Sequence, residues 1–273
     1  MTHWLHELPW QKVRDYLQQR DTILIPVGAI EQHGTHLPLL TDSASAIDVA
    51  VSVAEETGVL VCPPLWFGWS THHMGYAGTI TLRADTFMAT LEDIGQSLLV
   101  HGFKKLIYIN GNRVANLAPM EIAAVRLRNR YGPYVAIVDT GLVAGRELRD
   151  LCESASGGLD HGGESETSLM LHNHPELVDI SLAQTTQRPL HPKYNFNHVE
   201  LNADLQARDS VTVKPTVGEW SEATAPTGGQ GDPSQASAEK GARLHAAIVA
   251  NTVEFVRMIE GIEVTLHDVE VPL

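Results

Sequence analysis

Cysteine is scarce in this chain of 273 residues, which has only Cys62 and Cys152. Two thiols so far apart make no disulfide scaffold. Cys62 lies in an apolar run and Cys152 in a helix-like one, so both read as reduced, structural thiols. Cations are short as well: 19 Lys and Arg stand against 33 Asp and Glu, a formal charge of −14. That balance argues against nucleic acid, whose binders carry basic patches. No stretch approaches the ~20 apolar residues of a membrane span. The amino terminus, MTHWLHELPW, lacks a basic region followed by an apolar one. A protein without a membrane partner, located in the cytoplasm, is the expectation. Neither an internal repeat nor a splitting linker is present, so residues 1–273 are expected to form a single domain. At this length about three quarters of the unfolded surface can be buried.

Histidine, by contrast, is plentiful, with 14 residues. Residues 22–27, TILIPV, form the short β-branched run of a buried strand. The run stops at Gly28, and Glu31, His33, His36 and Asp42 follow. Acids and imidazoles just past the carboxyl end of a buried strand stand where open α/β sheets bind their ligands. Carboxylate with neutral imidazole suits a divalent ion such as zinc or manganese. A lone histidine would read as a solvated loop residue; four metal-capable side chains along one loop point to a metal.

Elsewhere helices and strands alternate. Helical spacing predicts helices over residues 4–20, 43–56 (capped by Thr41 or Ser43), 85–102, 117–131, 163–172 and 234–260. Strand-like runs occupy residues 59–62, 105–109, 134–138 and 262–266. The alternation is that of βαβ units and a mainly parallel sheet. Between Asp179 and Pro233 periodicity fails, with only brief strand-like runs such as residues 211–213. So long an irregular stretch reads as a lid or an oligomer contact.

The segment Pro26-Val-Gly-Ala-Ile-Glu31-Gln-His33-Gly-Thr-His36-Leu-Pro-Leu-Leu-Thr-Asp42 resembles the signature of the creatininase (creatinine amidohydrolase) family. Four further stretches match in the family's order. One runs from His73 through Gly78-Thr-Ile-Thr81, with Ala77 where proline is usual, and another is Asn110-Gly-Asn112-Arg113. The others are His161-Gly-Gly-Glu164-Ser-Glu166-Thr-Ser and Gly231-Asp-Pro through Glu239-Lys-Gly241. The resemblance implies a three-layer α/β/α sandwich, a homo-oligomer (commonly a hexamer), and a pair of divalent ions at the sheet's carboxyl edge. It implies zinc with a second ion, which could be manganese, magnesium or zinc. By it Glu31 is a ligand of one metal, His33 of the other, and Asp42 the carboxylate bridging both. His161 is the catalytic acid/base. The family's namesake enzyme has a metal-binding glutamate where Val114 stands here, so Glu164 is expected to replace it as the ligand beside His33. Glu166 is left to orient the site as a second catalytic group. Asn112 takes the place of a metal-binding histidine, and its amide oxygen would favour a harder ion. Arg113 stands where a substrate-contacting tyrosine is found, and its guanidinium could fork onto an anion. His73 and His36 complete the expected substrate contacts, His36 being equally readable as a solvated loop residue.

The reading that follows is a metal-dependent amidohydrolase. It would cleave a non-peptide C–N bond (amide, cyclic amide or formamide) of a small substrate, anionic if Arg113 contacts it. Two alternatives stand beside it: a hydrolysis-deficient binding or assembly subunit, motivated by Asn112, and a metal-dependent lyase or isomerase.

Overall fold

The computed structural model describes residues 2–154, 158, 160–186 and 214–272. Four strands form one parallel sheet: β1 (Thr22–Val27), β2 (Leu60–Val61), β3 (Lys105–Asn110) and β4 (Tyr134–Asp139), in the order β2-β1-β3-β4. The central strands TILIPV and KLIYIN are buried along their whole length, as strands covered on both faces must be. Their side chains alternate. Ile23, Ile25 and Val27 enter the core on one face with Leu106 and Tyr108, whereas Leu24 enters the other with Ile107 and Ile109.

Helices cover both faces. Against the first pack α3 (Ala84–Val100) and α4 (Arg113–Tyr131), through Phe87, Leu91, Leu98 and Leu127, with α1 (Trp10–Leu17) alongside. Against the second lie α2 (Thr41–Thr57) and α8 (Ala238–Glu260). The stripe Leu244, Ile248, Val249, Val253, Val256 and Ile259 on α8 is buried at helical spacing. Each such side chain contributes about 1.5–3 kcal/mol. Three shorter helices complete the described residues: α5 (Gly145–Leu151), α6 (Glu164–Asn173), which packs on α8, and α7 (Val217–Thr224). This is the expected α/β fold in three layers. No helix among the described residues is long and apolar enough to cross a membrane.

Several expected elements shift. Pro9 separates a 3-10 turn, Leu5–Glu7, from α1, so residues 4–20 are not one helix. Leu40, with no side-chain bond, takes the N-cap of α2, because the Thr41 hydroxyl donates to Pro38 O and the Ser43 hydroxyl to Ala29 O. α4 starts four residues before its expected position, since Asn112 caps it. Residues 262–266 form no strand; Leu266 instead packs on the first core cluster. The irregular stretch contains α7, and its strand-like residues 211–213 lie outside the described residues.

The register aligns the strand ends, pairing Val27 with Asn110 and Asn110 with Asp139. The chain runs from β1 outward to β2, then returns to β3 on the other side. A crevice therefore opens at the carboxyl ends of β1 and β3, the switch point where such sheets hold ligands.

Candidate metal centre

The crevice is floored by the first turn of α2. Gly111, just past β3, lets that turn approach: a Cβ there would lie 1.9 Å from Asp42 O. Asp42 is thereby set directly over the sheet edge, 3 % exposed. The loop between β1 and α2 is pinned by Glu31 N donating to Leu39 O and by a bridge between Ile30 and Ile80. Glu31 (2 % exposed) and His33 (0 %) are held inside.

Six side chains converge. His33 Nε2 lies 3.1 Å from Asp42 Oδ1 and 3.8 Å from Glu166 Oε2. His73 Nε2 lies 3.1 Å and His161 Nδ1 3.8 Å from Glu31 Oε1. The His161 ring sits between those of His33 and His73, with centroids 4.2 and 4.4 Å away. Their ligand atoms form three overlapping groups, each within 4.8 Å: Glu31/His33/Asp42, His33/His161/Glu166 and Glu31/His73/His161. Ligands about 2.1 Å from a tetrahedral ion stand about 3.4 Å apart, so this spacing is that of donors sharing a cation. Glu31 Oε2 is buried without a hydrogen-bond partner, an orphan a cation would satisfy. The donor set therefore fits a divalent ion.

Hydrogen bonds fix how the rings are turned. His33 Nδ1–H donates to Glu31 O at 3.1 Å, which turns Nε2 toward the carboxylates, where a cation would replace the proton it shares with Asp42 Oδ1. His161 Nε2–H donates to Gln32 O, leaving Nδ1 bare toward Glu31. The Gln32 side-chain oxygen accepts from Gly34 N, so its amide protons go to Gly228 O and His73 Nδ1, both at 2.8 Å. His73 thus presents Nε2–H to Glu31. Gly162, with φ +69°, brings the His161 turn against the loop, where a Cβ would lie 2.7 Å from His33 O. Its N–H holds Glu166 Oε2 at 2.7 Å.

Charge crowding shows in the titration of the metal-free cluster. Burial and the nearby Asp42 carboxylate raise Glu31 to about 8. Burial raises Glu166 to about 7, with Asp42 adding to it. Burial alone would lower His33, but Asp42, Glu166 and Glu31 outweigh it and raise the imidazole to about 10. Burial and neighbouring imidazoles push His73 and His161 well down. The folded metal-free state therefore holds protons that the unfolded chain has released above pH 6.5. Stability from groups raised in this way is present at low pH and lost as pH rises through their folded values. With chelator present, the melting temperature is expected to fall between about pH 6.5 and about pH 8.5, and a divalent ion should flatten that slope by replacing the protons. A metal-free protein that grows more stable over this window would contradict the account.

Four expectations need correction. Glu164 is fully buried but faces away from the cluster: its carboxylate accepts from Lys240 Nζ at 2.6 Å and from the amides of Glu153 and Ser154. Glu166, two residues along α6, takes the position beside His33. Substituting Glu164→Gln is expected to cost about 2 kcal/mol by breaking a buried ion pair, with metal stoichiometry unchanged on elemental analysis. Loss of metal in that variant would restore Glu164 as a ligand. Asn112 is also no oxygen ligand. Its Oδ1 accepts from Ala115 N as the α4 cap, and its Nδ2 donates to Asp42 Oδ2 at 2.9 Å. His73 belongs to the cluster rather than to a substrate wall alone. His36 does not line the cavity: its Nε2 pairs with Thr167 Oγ1 at 2.8 Å. Arg113 lines the cavity, where Nε lies 3.9 Å from Asp139 Oδ2.

Two residues of the site gave little sequence signal. Gln32 stands between two expected ligands without being one. Trp220, on α7, lines the cavity over His72 and His73, and it lay in the stretch read as irregular.

The creatininase model, creatinine amidohydrolase, matches residues 6–256. The chain is 31% identical over 242 residues to the mycofactocin precursor peptide peptidase of Mycobacterium ulcerans (strain Agy99), covering 85% of this chain and 83% of that protein. It is 31% identical over 211 residues to the creatinine amidohydrolase of Pseudomonas putida, covering 71% and 80%. A solved manganese creatininase superposes with a TM-score of 0.70 at 25% identity, over 96% of this chain and 100% of that one. Matched along nearly its whole length, the chain belongs to the creatininase family of metal-dependent amidohydrolases.

Proposed function

We propose that this enzyme hydrolyses a non-peptide C–N bond of a small substrate at a centre of one or two divalent ions, zinc alone or with manganese or magnesium. The observation that carries the reading is the converging set of three carboxylates and three imidazoles, four of them buried and Glu31 Oε2 unpartnered, at the switch point of the sheet. Glu31, His33 and Asp42 would hold the metal, with Glu166 and His73 beside them. When bound, such ions acidify a water and polarise the amide carbonyl. The remaining work belongs to the protein. Asn112 Nδ2–H orients Asp42, and Gln32 orients His73 and His161. His161 Nδ1, bare at rest, would take the proton that the attacking water gives up and pass it to the leaving nitrogen, while Nε2–H stays on Gln32 O. Arg113 at the cavity wall would receive an anionic substituent.

A peptide substrate is the second reading, favoured because the peptidase relative aligns with a larger share of the chain than the amidohydrolase does. Metal analysis of the purified protein, followed by a screen of cyclic amides, formamides, amino-acid amides and short peptides, tests both. Turnover of a small amide, abolished by chelator, is the expected result. Peptide cleavage alone would favour the second reading. Metal binding without any turnover would identify a binding or assembly subunit, and carbonyl rearrangement without water uptake a lyase or isomerase. The homo-oligomer, a hexamer by family resemblance, belongs to the same proposal and is tested by light scattering.

A further inference from the structure

The roof of the cavity carries a hydrogen-bond donor with nothing to donate to. Trp220 is 8 % exposed and lines the cavity, and its Nε1 has no partner among the described residues. Buried indole N–H groups normally find an acceptor. The ring is not loosely placed. Thr216 and Glu219 cap α7 reciprocally, and the Tyr76 hydroxyl lies 2.7 Å from Thr224 Oγ1. Gly75 packs so closely on α7 that a Cβ there would lie 2.0 Å from Ser221 Oγ. The indole stands edge-on to His72 at 5.0 Å and His73 at 4.9 Å, and 5.8 Å from His161. The indole is therefore held against His73 and His161 of the cluster, with its N–H buried and unpaired.

We propose that Trp220 is a specificity-determining residue whose Nε1–H donates to a second oxygen of the substrate, a carboxylate or carbonyl separate from the group held at the metal centre. The inference rests on the hydrolase reading of the cluster and narrows its substrate class to acyl compounds with two oxygen-bearing groups a short chain apart. A substrate lacking the second oxygen leaves the indole unpaired and is discriminated against.

The test uses zinc-loaded protein labelled with 15N-tryptophan. Phe variants of Trp4, Trp10, Trp66 and Trp69 assign the five indole signals by elimination, so the wild-type titration does not depend on whether Trp220→Phe folds. The probes are malonate and malonamate, which carry a second carboxylate or carbonyl, and butyrate, which ends in a methyl group. Malonate or malonamate is expected to shift the Trp220 indole signal and to bind about tenfold more tightly than butyrate; which of the two does so distinguishes carboxylate from carbonyl. Trp220→Phe should erase that preference with zinc content unchanged. An unmoved Trp220 signal, equal affinities in the wild type, failure of all three probes to bind, or a preference that survives in Trp220→Phe overturns the proposal. Turnover in the amide screen is a separate readout: a moved signal without turnover leaves Trp220 as a binding residue and removes the hydrolase reading.

Discussion

Asp42→Ala is expected to yield a folded protein that binds no divalent ion tightly and has lost activity by more than about 10⁴-fold. Asp42 is the carboxylate nearest His33, with Oδ1 3.1 Å from its Nε2 and Oδ2 held by Asn112. Removing it leaves Glu31, His73 and Glu166 without the charge that draws a cation between them. In the metal-free protein the same substitution acts in two directions, because Asp42 both raises Glu31 and holds the His33 imidazolium. Asp42 is a main cause, after burial, of the upward shift of Glu31, so its loss lets that carboxyl ionise at smaller cost. The loss of Asp42 also leaves the buried His33 Nε2 and Asn112 Nδ2 without their acceptor, so absent metal rather than a raised melting temperature is the mark of the variant. Full metal occupancy in Asp42→Ala, measured by elemental analysis after desalting, would sink the assignment.

The frame of this site was legible because β1 and β3 are buried on both faces, and an all-apolar run ending in Gly is hard to read otherwise. Glu31, His33 and Asp42 could be read from the loop that follows. The choice between Glu164 and Glu166 could not. Residues two apart on a helix point to nearly opposite sides, and which side faces the centre is decided by Lys240, a partner far along the chain on α8. Asn112 carries a capping signal in the sequence that competes with a ligand role. An Asn between a strand and a helix is a preferred N-cap, and capping uses the oxygen that metal binding would need. Trp220 was missed because α7 has eight residues within a stretch rich in Pro, Gly and Thr, too short for periodicity to show. The pair Thr216 and Glu219, at capping-box spacing, was the available clue. The run of residues 262–266 misled in the opposite direction, since its alternation is satisfied by Leu266 packing on the core without any partner strand.

His161→Ala is expected to lower kcat by about 10²–10⁴-fold, the range for loss of a general acid–base group, while metal content stays at the wild-type value. Two features favour a proton carrier over a ligand. Its bare Nδ1 lies 3.8 Å from the nearest carboxylate oxygen of Glu31, against 3.1 Å for His33 Nε2 to Asp42, and its side chain keeps 13% exposure toward the cavity where His33 has none. A group that exchanges protons with substrate must reach the cavity, whereas a ligand gains by being sealed. The Nε2–H bond to Gln32 O is what keeps Nδ1 turned inward, so His161→Gln should restore little, because an amide cannot cycle a proton at that position. Added imidazole should recover part of the lost rate in His161→Ala and leave a Glu31→Ala variant dead, since a diffusible base replaces a proton carrier but not a metal ligand. If metal and activity disappear together in His161→Ala, the residue is a ligand. Proton transfer would then fall to Glu166, which lines the cavity and which burial has raised to about 7, near the pH at which a general acid works best.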